Sequence, residues 1–395
     1  MREHVVTIAK GRARPFWFGC PVVFSGAVAA VDSAPGAGDL VTLVDERGAL
    51  IGRGFYNPAS SYRVRLVGGP ADEADPGTLI RNRIARAWDL RRAMGLPGSA
   101  TSIFRMVNSE GDGLSGLTID VFDGRAVVME SAVWASMHRA DVAAAVRSCL
   151  GSDAPVCFRV VEQVRALEGI ASRDEGALSG EPVEVLENGV RFVTRPGQGQ
   201  KTGFYADQRE NRHDMRVFAA GAEVLDLFCC SGGFGINLAL AGAVSVTGVD
   251  SSAEAIRTAT ENAGINGVSD KVRFVRDDVS RYIEGSQTFD VVICDPPKLA
   301  VGRQSLDAAM KHYQRLNVAA MKAIRPGGIL MTCSCSSVVR RDAFVEMLRD
   351  AAGYAGRQVS ILKVAGAAPD HPVNPSWPEG EYLKAVTLSV GGSTR

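Results

Sequence analysis

Apolar residues recur in two different rhythms along the chain, and the change of rhythm divides it. Up to about Val67, short apolar runs alternate with turns in "PVVFSGAVAAV", "GDLVTLVDERGALIGRGFY" and "SSYRVRLV". Gly and Asp punctuate strands of four to six residues there, a pattern that predicts a small β-barrel or half-barrel. "GGPADEADPG" follows, with the composition of a linker. From "TLIRNRIARAWDLRRAMGL" the spacing becomes helical, with Ile80, Ile84, Trp88 and Met94 on one apolar stripe. Arg81, Arg83, Arg86, Arg91 and Arg92 fill much of the remainder. A solvated helix face accounts for them, and an RNA contact is the other reading. Strands in "LSGLTIDVFDG", "RAVVMESA", "VCFRVVEQV" and "VEVLENGVRFVT" surround a helix around "HRADVAAAVRSCL", which predicts an α+β middle domain ending near residue 189.

Beyond that point the rhythm changes again. Strand candidates "EVLDLF", "VSVTGVD", "VRFVRDD", "FDVVICDPP", "GILMTCSC", "VSILKV" and "YLKAVTL" alternate with helix-like segments such as "SAEAIRTATENAGI" and "AAMKHYQRLNVAAMKAI". Repeated β-α units imply an α/β fold, a mostly parallel, doubly wound sheet with helices on both faces. The expected organisation is a small β-barrel domain over 1–70, an α+β domain over 71–189 and a domain with a seven-stranded sheet over 190–395.

Composition narrows the setting. With 46% hydrophobic and 22% charged residues the chain reads as an ordinary globular protein, and 395 residues suffice for two or three domains. No apolar run reaches the length that crosses a bilayer, and "MREHVVTIAKGRARPFW" has no apolar signal core. Neither a membrane partner nor export is expected. The eight cysteines, Cys20, Cys149, Cys157, Cys229, Cys230, Cys294, Cys333 and Cys335, show no C-x-x-C pairing, which argues against a metal site. Most lie in apolar runs, where free Cys packs as a small hydrophobe, and a reducing cytoplasm fits them. A net charge of zero gives no general pull toward nucleic acid, so any polyanion site must be local.

Ligands of doubly wound sheets bind at the carboxyl ends of the strands, at the point where strand order reverses. The first strand of the last domain runs into "DLFCCSGGFGINLA", carrying Asp226, Gly232, Gly233 and Gly235. Glycines there let a ligand approach the backbone, although the spacing is not the dinucleotide fingerprint G-x-G-x-x-G. Asp250 ends the second strand, placed to accept from both ribose hydroxyls, and Asp278 ends the third, placed to accept from an adenine amino group. Asp277 is the rival for that last role. A lone Asp at a strand end is usually a turn or cap. Three at successive strand ends beside a Gly-rich loop favour a bound nucleoside, and without a phosphate-cradling loop the natural candidate is S-adenosylmethionine.

The fourth strand ends in "CDPPKLA". Asp295 followed by Pro296 and Pro297 makes a rigid, extended exit that does not continue as a helix. Such an exit holds a carboxylate and backbone carbonyls against the edge of a planar base. A simple strand terminator is the alternative.

The C-terminal half resembles class I methyltransferases. The whole chain, through "GQKTGFYADQRENR", "DLFCCSGGFG", "CDPPK" and "TCSCS", resembles the ribosomal RNA large-subunit methyltransferase I family. The resemblance implies an N-terminal PUA domain, a middle α+β domain and a Rossmann-like catalytic domain. It further implies S-adenosylmethionine as cofactor, 23S rRNA or a large-subunit precursor as partner and 5-methylcytosine as product, with a homodimer left open.

That chemistry explains a pair of thiols. Carbon 5 of cytosine is a poor nucleophile until a thiolate adds at carbon 6, so one reactive Cys is required. Matching "TCS" picks Cys333; counting from the strand-opening glycine of related RNA 5-methylpyrimidine enzymes picks Cys335, which also lies nearer the loop. Cys335 is taken as the nucleophile, with Cys333 beside it. Asp295 would hold cytosine through N3 and the exocyclic amine, with Pro296, Pro297 and Lys298 on the substrate side. Many RNA cytosine-5 methyltransferases place a second Cys where this chain has Lys298; Cys294 precedes Asp295 instead and alternation points it away. The acceptor of the carbon 5 proton stays unassigned.

Asp207 and Glu210 have capping-box spacing, so a helix is expected to begin near Gln208, with Arg209 and Arg212 in a first turn that disfavours cations. An anionic partner, whether ligand carboxylate, RNA phosphate or acidic side chain, would offset that cost. Resemblance places Gln200, Lys201 and Phe204 through Arg212 along the cofactor side, together with Cys229 and Ser251 beside the glycine loop and Asp250. Phe204 and Tyr205 stack on adenine or pack in the core. His371, in "DHPVNPSWPEGEYLK", reads as structural rather than catalytic. The basic residues Lys10, Arg12, Arg14, Arg53, Arg63 and Arg65 of the N-terminal strands meet phosphates or serve as solubilising charge.

The reading is an S-adenosylmethionine-dependent 23S rRNA cytosine-5 methyltransferase. Its rivals are a guanine-nitrogen methyltransferase, which needs no nucleophile, a catalytically inactive RNA-binding or ribosome-assembly factor, and a small-molecule methyltransferase, which leaves the front domains without a role.

Overall fold

The computed structural model describes residues 4–72, 75–176, 181–197, 202–285, 287–300 and 302–393. The chain forms two compact units, Met1–Leu186 with Thr194–Ala206 and Pro369–Gly380, and Glu187–Val193 with Asp207–Ala368 and Glu381–Arg395.

The first unit opens with β1 (His4–Ile8), β2 (Val22–Phe24), β3 (Val28–Asp32), β4 (Leu40–Val44), β5 (Leu50–Tyr56) and β6 (Tyr62–Gly68). They form one six-stranded sheet in the order β2-β6-β5-β4-β1-β3. The β1–β4 pair is parallel and its neighbours antiparallel, with register shifts that bend the sheet. Val6, Ile8, Val23, Leu43 and Val64 fill its core. A second sheet follows in the order β10-β9-β8-β7, from β7 (Ile103–Asn108), β8 (Leu117–Phe122), β9 (Arg125–Glu130) and β10 (Val156–Val160).

The helix Pro76–Ala93 starts as its sequence dictates: Pro76 takes the first position and Asp75 accepts the Thr78 N–H at 2.7 Å. Ile80 and Ile84 are fully buried on its inner face, but Met94 is exposed. Arg91 departs from the expected solvated face. It is fully buried, forked onto Asp112 at 2.6 and 2.7 Å and bonded to the carbonyls of Arg105 and Asp370. Its guanidinium is a core cation with every face satisfied, so it meets neither water nor RNA.

After β11 (Val183–Glu187) and β12 (Val190–Thr194), which pair as a two-stranded sheet, the second unit is built on β13 (Glu223–Leu227), β14 (Ser245–Asp250), β15 (Val272–Arg276), β16 (Phe289–Cys294), β17 (Ile324–Ser334), β18 (Arg357–Ala365) and β19 (Lys384–Ser393). These follow the strands expected from the sequence and form one seven-stranded sheet in the order β15-β14-β13-β16-β17-β19-β18. All neighbours are parallel except β19, which runs antiparallel to β17 and β18. Strand order reverses between β13 and β16, which is where such sheets open a ligand crevice. Leu227, Val249, Val292, Leu330 and Leu388 bury completely or nearly so with Tyr313 and Phe344 of the covering helices Leu306–Lys322 and Arg341–Ala355. Each such aliphatic side chain contributes about 1.5–3 kcal/mol by leaving water.

Candidate active site

Strand register brings the candidate residues of the second unit to one edge. Leu227 pairs with Cys294, and Cys294 with Thr332, so β13 and β16 end level at the reversal point and β17 runs two residues further. The glycine loop, Asp295 and the paired cysteines therefore leave the sheet side by side.

The loop after β13 is a tightly held turn. Phe228, Cys230 and Gly232 all have positive φ, at 61°, 49° and 81°, and the helix Gly233–Leu240 starts at once. Two non-glycine residues in the left-handed region cost free energy that the surroundings must offset. They do so with hydrogen bonds: Cys229 N–H donates to Val249 O at 3.1 Å, and Cys230 N–H to Asp250 at 3.1 Å. Gly232 is required by shape as well as by φ, since a Cβ there would lie 2.8 Å from the Phe274 ring. At Gly233 a Cβ would lie 2.8 Å from Cδ of Arg212.

Four carboxylates surround this turn, each in a different state. Asp226 is buried beneath it, accepts the Gly235 N–H at 2.9 Å, and is pushed up to about 7 by loss of hydration. Asp250 offers one oxygen to Cys230 and the other to the Ser252 N–H at 2.9 Å. Asp277 takes the Asp278 N–H at 2.7 Å and pairs with Arg281. Asp278 is an exposed helix cap, its Oδ1 receiving the Arg281 N–H at 3.0 Å. Its second oxygen carries no bond among the described residues.

Across the reversal, Gln208 joins the other two candidates. Its amide donates to Asp295 Oδ2 at 3.0 Å and to Cys333 Sγ at 3.5 Å, while Asn211 donates to its carbonyl at 2.6 Å. Cys333 is the last but one residue of β17 and fully buried. Burial, then the Asp295 charge, pushes its thiol well up, which holds it protonated. Cys335 lies just past the end of the strand and is partly exposed. Cys294 is fully buried and its thiol pushed up to about 12 by burial.

The segment around Gln208 corrects the expected capping box. A 3₁₀ turn, Ala206–Gln208, leads into the helix Arg209–Asp214, whose N-cap is Gln208, and the Gln208 side chain does not cap the helix backbone. The Asp207 carboxylate accepts the Tyr382 hydroxyl at 2.7 Å, and Glu210 pairs with Arg209 at 2.8 Å. The anionic partner of Arg212 is an acidic side chain: Glu187 receives it in a fork at 2.6 Å on both oxygens, both residues buried.

Residues 159–374 match the S-adenosylmethionine-dependent methyltransferase family, and residues 6–68 match the PUA-like domain family. Ribosomal RNA large subunit methyltransferase I of Alteromonas mediterranea is 37% identical over 94% of this chain and 94% of its own. Its namesake in Klebsiella pneumoniae subsp. pneumoniae is 34% identical over 98% of both chains. The chain belongs to the ribosomal RNA large subunit methyltransferase I family. Its fold is shared by a solved protein from Streptococcus mutans described as a SAM-dependent methyltransferase, with a TM-score of 0.82 at 20% identity over 98% of this chain and 99% of that one. A further solved protein, described as a methyltransferase and complexed with SAH, has a TM-score of 0.83 at 20% identity over 98% of this chain and 100% of that one.

Membership in this family makes S-adenosylmethionine the cofactor, and the turn after β13 suits it. Gly232 and Gly233 bring the backbone of the turn close against Phe274 and Arg212 where a Cβ has no space, and each Asp250 oxygen keeps a lone pair for a hydroxyl after holding one backbone N–H. Among the described residues no cluster of three or more His, Cys, Asp or Glu is arranged for a metal, and no helix is long and apolar enough to cross a membrane.

The remaining candidates of this family member fall in different places. Gln200 and Lys201 lie outside the described residues. Phe204 is buried in the first unit. Arg209 and Cys229 are buried, whereas Ser251 is exposed and its carbonyl receives Arg276 at 3.3 Å. Pro296 is buried; Pro297 and Lys298 are exposed. His371 is buried against the Asp370 carboxylate at 3.0 Å, in keeping with a structural part. Arg65 is no surface charge: it is buried on Glu168 and Ser115 at 2.8 Å each. Arg12 and Arg14 are exposed, Arg14 lying over the Phe18 ring at 5.6 Å.

Sequence reasoning missed Tyr313, Ser334, Ser336 and Lys384, and gave Gln208 a place along the cofactor side without its bonds to Asp295 and Cys333. Ser334 donates to the Tyr313 hydroxyl at 3.0 Å, Ser336 Oγ lies 3.2 Å from the same oxygen, and Ser336 Oγ also accepts the Ala300 N–H at 3.1 Å. The alternation of Cys and Ser in "TCSCSS" was the available signal: the Ser334 and Ser336 hydroxyls both anchor the segment on Tyr313.

Proposed function

We propose that the protein forms 5-methylcytosine in large-subunit ribosomal RNA, with Cys335 as the nucleophile. The observation that carries this is the unlike setting of the two thiols. Cys333 is locked in the strand and held protonated, whereas Cys335 stands one residue beyond it, partly exposed, on the edge that also holds Asp295. A guanine-nitrogen methyltransferase has no use for a thiol in that position.

In this reading S-adenosylmethionine would supply an electrophilic methyl group when bound. Asp226, Gly232, Gly233, Asp250, Ser251 and the second oxygen of Asp278 would hold it, with Asp207, Arg209 and Cys229 behind them. Asp295, oriented by Gln208, accepts hydrogen bonds from the cytosine edge. Pro296, Pro297 and Lys298 line its approach. The Cys335 thiolate adds at carbon 6, which makes carbon 5 nucleophilic. Carbon 5 would take the methyl group with S-adenosylhomocysteine leaving, its proton would pass to solvent water, and expulsion of the thiolate would restore the ring. The base must be unpaired or turned outward to reach the thiol. Residues 1–70 and 71–189 then serve to hold the RNA, the exposed Lys10, Arg12 and Arg14 among their phosphate contacts.

The test is methyl transfer to large-subunit rRNA lacking its native modifications, both naked and in precursor particles, followed by mass spectrometry of the nucleosides. The expected product is 5-methylcytidine. Methylguanosine instead would replace this reading with nitrogen chemistry, and no transfer to either form would favour an inactive RNA-binding factor.

A further inference from the structure

Lys384 is an ammonium buried where no salt bridge holds it among the described residues. It is the first residue of β19 and 1% exposed. Removing an ammonium from water costs several kcal/mol, so its surroundings must return that free energy. Two of its three N–H bonds do so by donating to Ser336 O at 2.6 Å and Tyr382 O at 2.8 Å. The third N–H donates to no acceptor among the described residues.

Those contacts fix where the charge sits. Ser334 and Lys384 are paired directly across β17 and β19, so their side chains share a face of the sheet. Ser336, whose carbonyl Lys384 holds, follows Cys335 immediately, and its hydroxyl is held by Tyr313 and Ala300. The exit of β17 is thus tied down on both sides of Cys335. The titratable and charged groups near Lys384 are Cys335, Glu381 just ahead of β19, Arg341 of the helix Arg341–Ala355 and Lys298 after β16. Tyr313 on the helix Leu306–Lys322 holds Ser334 and Ser336, the two residues that flank Cys335.

We propose that Lys384 is a positioning residue for the nucleophile: its ammonium, moored to the carbonyl that follows Cys335, stabilises the Cys335 thiolate. This rests on Cys335 being the attacking thiol. A neutral donor would tie the same two carbonyls at far lower cost in hydration; only a cation also draws the proton from a neighbouring thiol. Burial pushes Lys384 down to about 8, so the charge is present below that pH and is lost above it.

The test is the pH profile of iodoacetamide alkylation of Cys335 in the full chain, followed by mass spectrometry of its peptide, with partly exposed Cys149 as internal reference. In wild type the inflection should lie below the ordinary free thiol near 8.5. Lys384→Met should raise it by about one unit or more, tenfold less thiolate at neutral pH, while Lys384→Arg keeps it low and Cys149 does not move. Coincident profiles for wild type and Lys384→Met overturn the proposal, as does a joint shift of both cysteines in both variants, which marks general loosening. Should neither variant fold, the ultraviolet thiolate absorbance of wild type minus Cys335→Ser decides: an inflection at or above 8.5 sinks the proposal. Adduct formation with 5-fluorocytidine RNA separates the two claims. A Cys335 adduct with an unshifted profile removes the role of Lys384 alone, and no adduct from wild type removes the nucleophile on which that role depends.

Discussion

The side-chain amide of Gln208 donates to the Asp295 carboxylate at 3.0 Å. This bond helps to set which way the carboxylate faces, on a proline-stiffened exit where the Asp295 N–H donates to Leu227 O at 3.5 Å. A hydrogen bond to a charged group is worth about 1.5–3 kcal/mol. Gln208→Leu is therefore expected to slow methyl transfer about 10- to 100-fold at saturating cofactor, with S-adenosylmethionine affinity little changed. Single-turnover transfer set beside calorimetric cofactor binding checks it. A loss confined to cofactor binding would place Gln208 elsewhere in the scheme.

Gly232 holds a φ of 81° with the Phe274 ring 2.8 Å from where a Cβ would be. Left-handed backbone with a side chain costs about 1–2 kcal/mol, and crowding a packed site adds about 1–3 kcal/mol. Gly232→Ala should weaken S-adenosylmethionine binding at least tenfold and lower the urea midpoint of unfolding. Unchanged binding would show that the turn adapts and is no cofactor cradle.

Arg212 and Glu187 form a buried fork 25 residues apart in sequence. Removing one partner leaves the other charge unpaired in the interior, a loss of about 3–5 kcal/mol. Arg212→Met should show that loss by urea denaturation. Arg212→Met with Glu187→Leu should recover much of it, and failure to recover would mean that the cation acts on other groups, Asp207 and Asp295 among them.

Asp226 titrates near 7 in the folded chain against 3.8 for a free carboxyl, because burial disfavours its charge. The folded state then binds the proton more tightly than the unfolded state. Asp226 favours folding fully below about pH 4, and that contribution falls as pH rises toward 7, by about 1.4 kcal/mol per pH unit. Asp226→Asn lacks this dependence. The stability of the variant relative to wild type should therefore climb between pH 4.5 and 7 and level off above. Urea midpoints at four pH values test it, and a flat difference would mean that Asp226 is ionised throughout.

Much of the second unit was legible because its signals are local. The strands β13 to β19 are short apolar runs bounded by turns, and Asp226, Asp250 and Asp295 are readable as strand-end residues without any knowledge of partners. What stayed hidden depends on distant pairing. Arg91 has the spacing of a surface arginine, yet its acceptor Asp112 arrives 21 residues later; Arg65 meets Glu168 across 103 residues. Lys384 stands beside Ser334 only because β19 inserts antiparallel next to β17, which no periodicity announces. The capping spacing of Asp207 and Glu210 misled for the opposite reason. It is a correct local pattern, overridden by a 3₁₀ entry and by the bond from Tyr382, 175 residues away.

The account stands or falls on Cys335, and covalent capture tests it most directly. The protein is incubated with S-adenosylmethionine and large-subunit rRNA containing 5-fluorocytidine, beside Cys335→Ala and Cys333→Ala. Fluorine does not leave as a proton does, so a thiolate that has added to carbon 6 stays bound after methyl transfer. A denaturation-resistant protein–RNA adduct that survives in Cys333→Ala and vanishes in Cys335→Ala is the predicted result. An adduct that vanishes only in Cys333→Ala, or none at all while ordinary RNA is methylated, would contradict it.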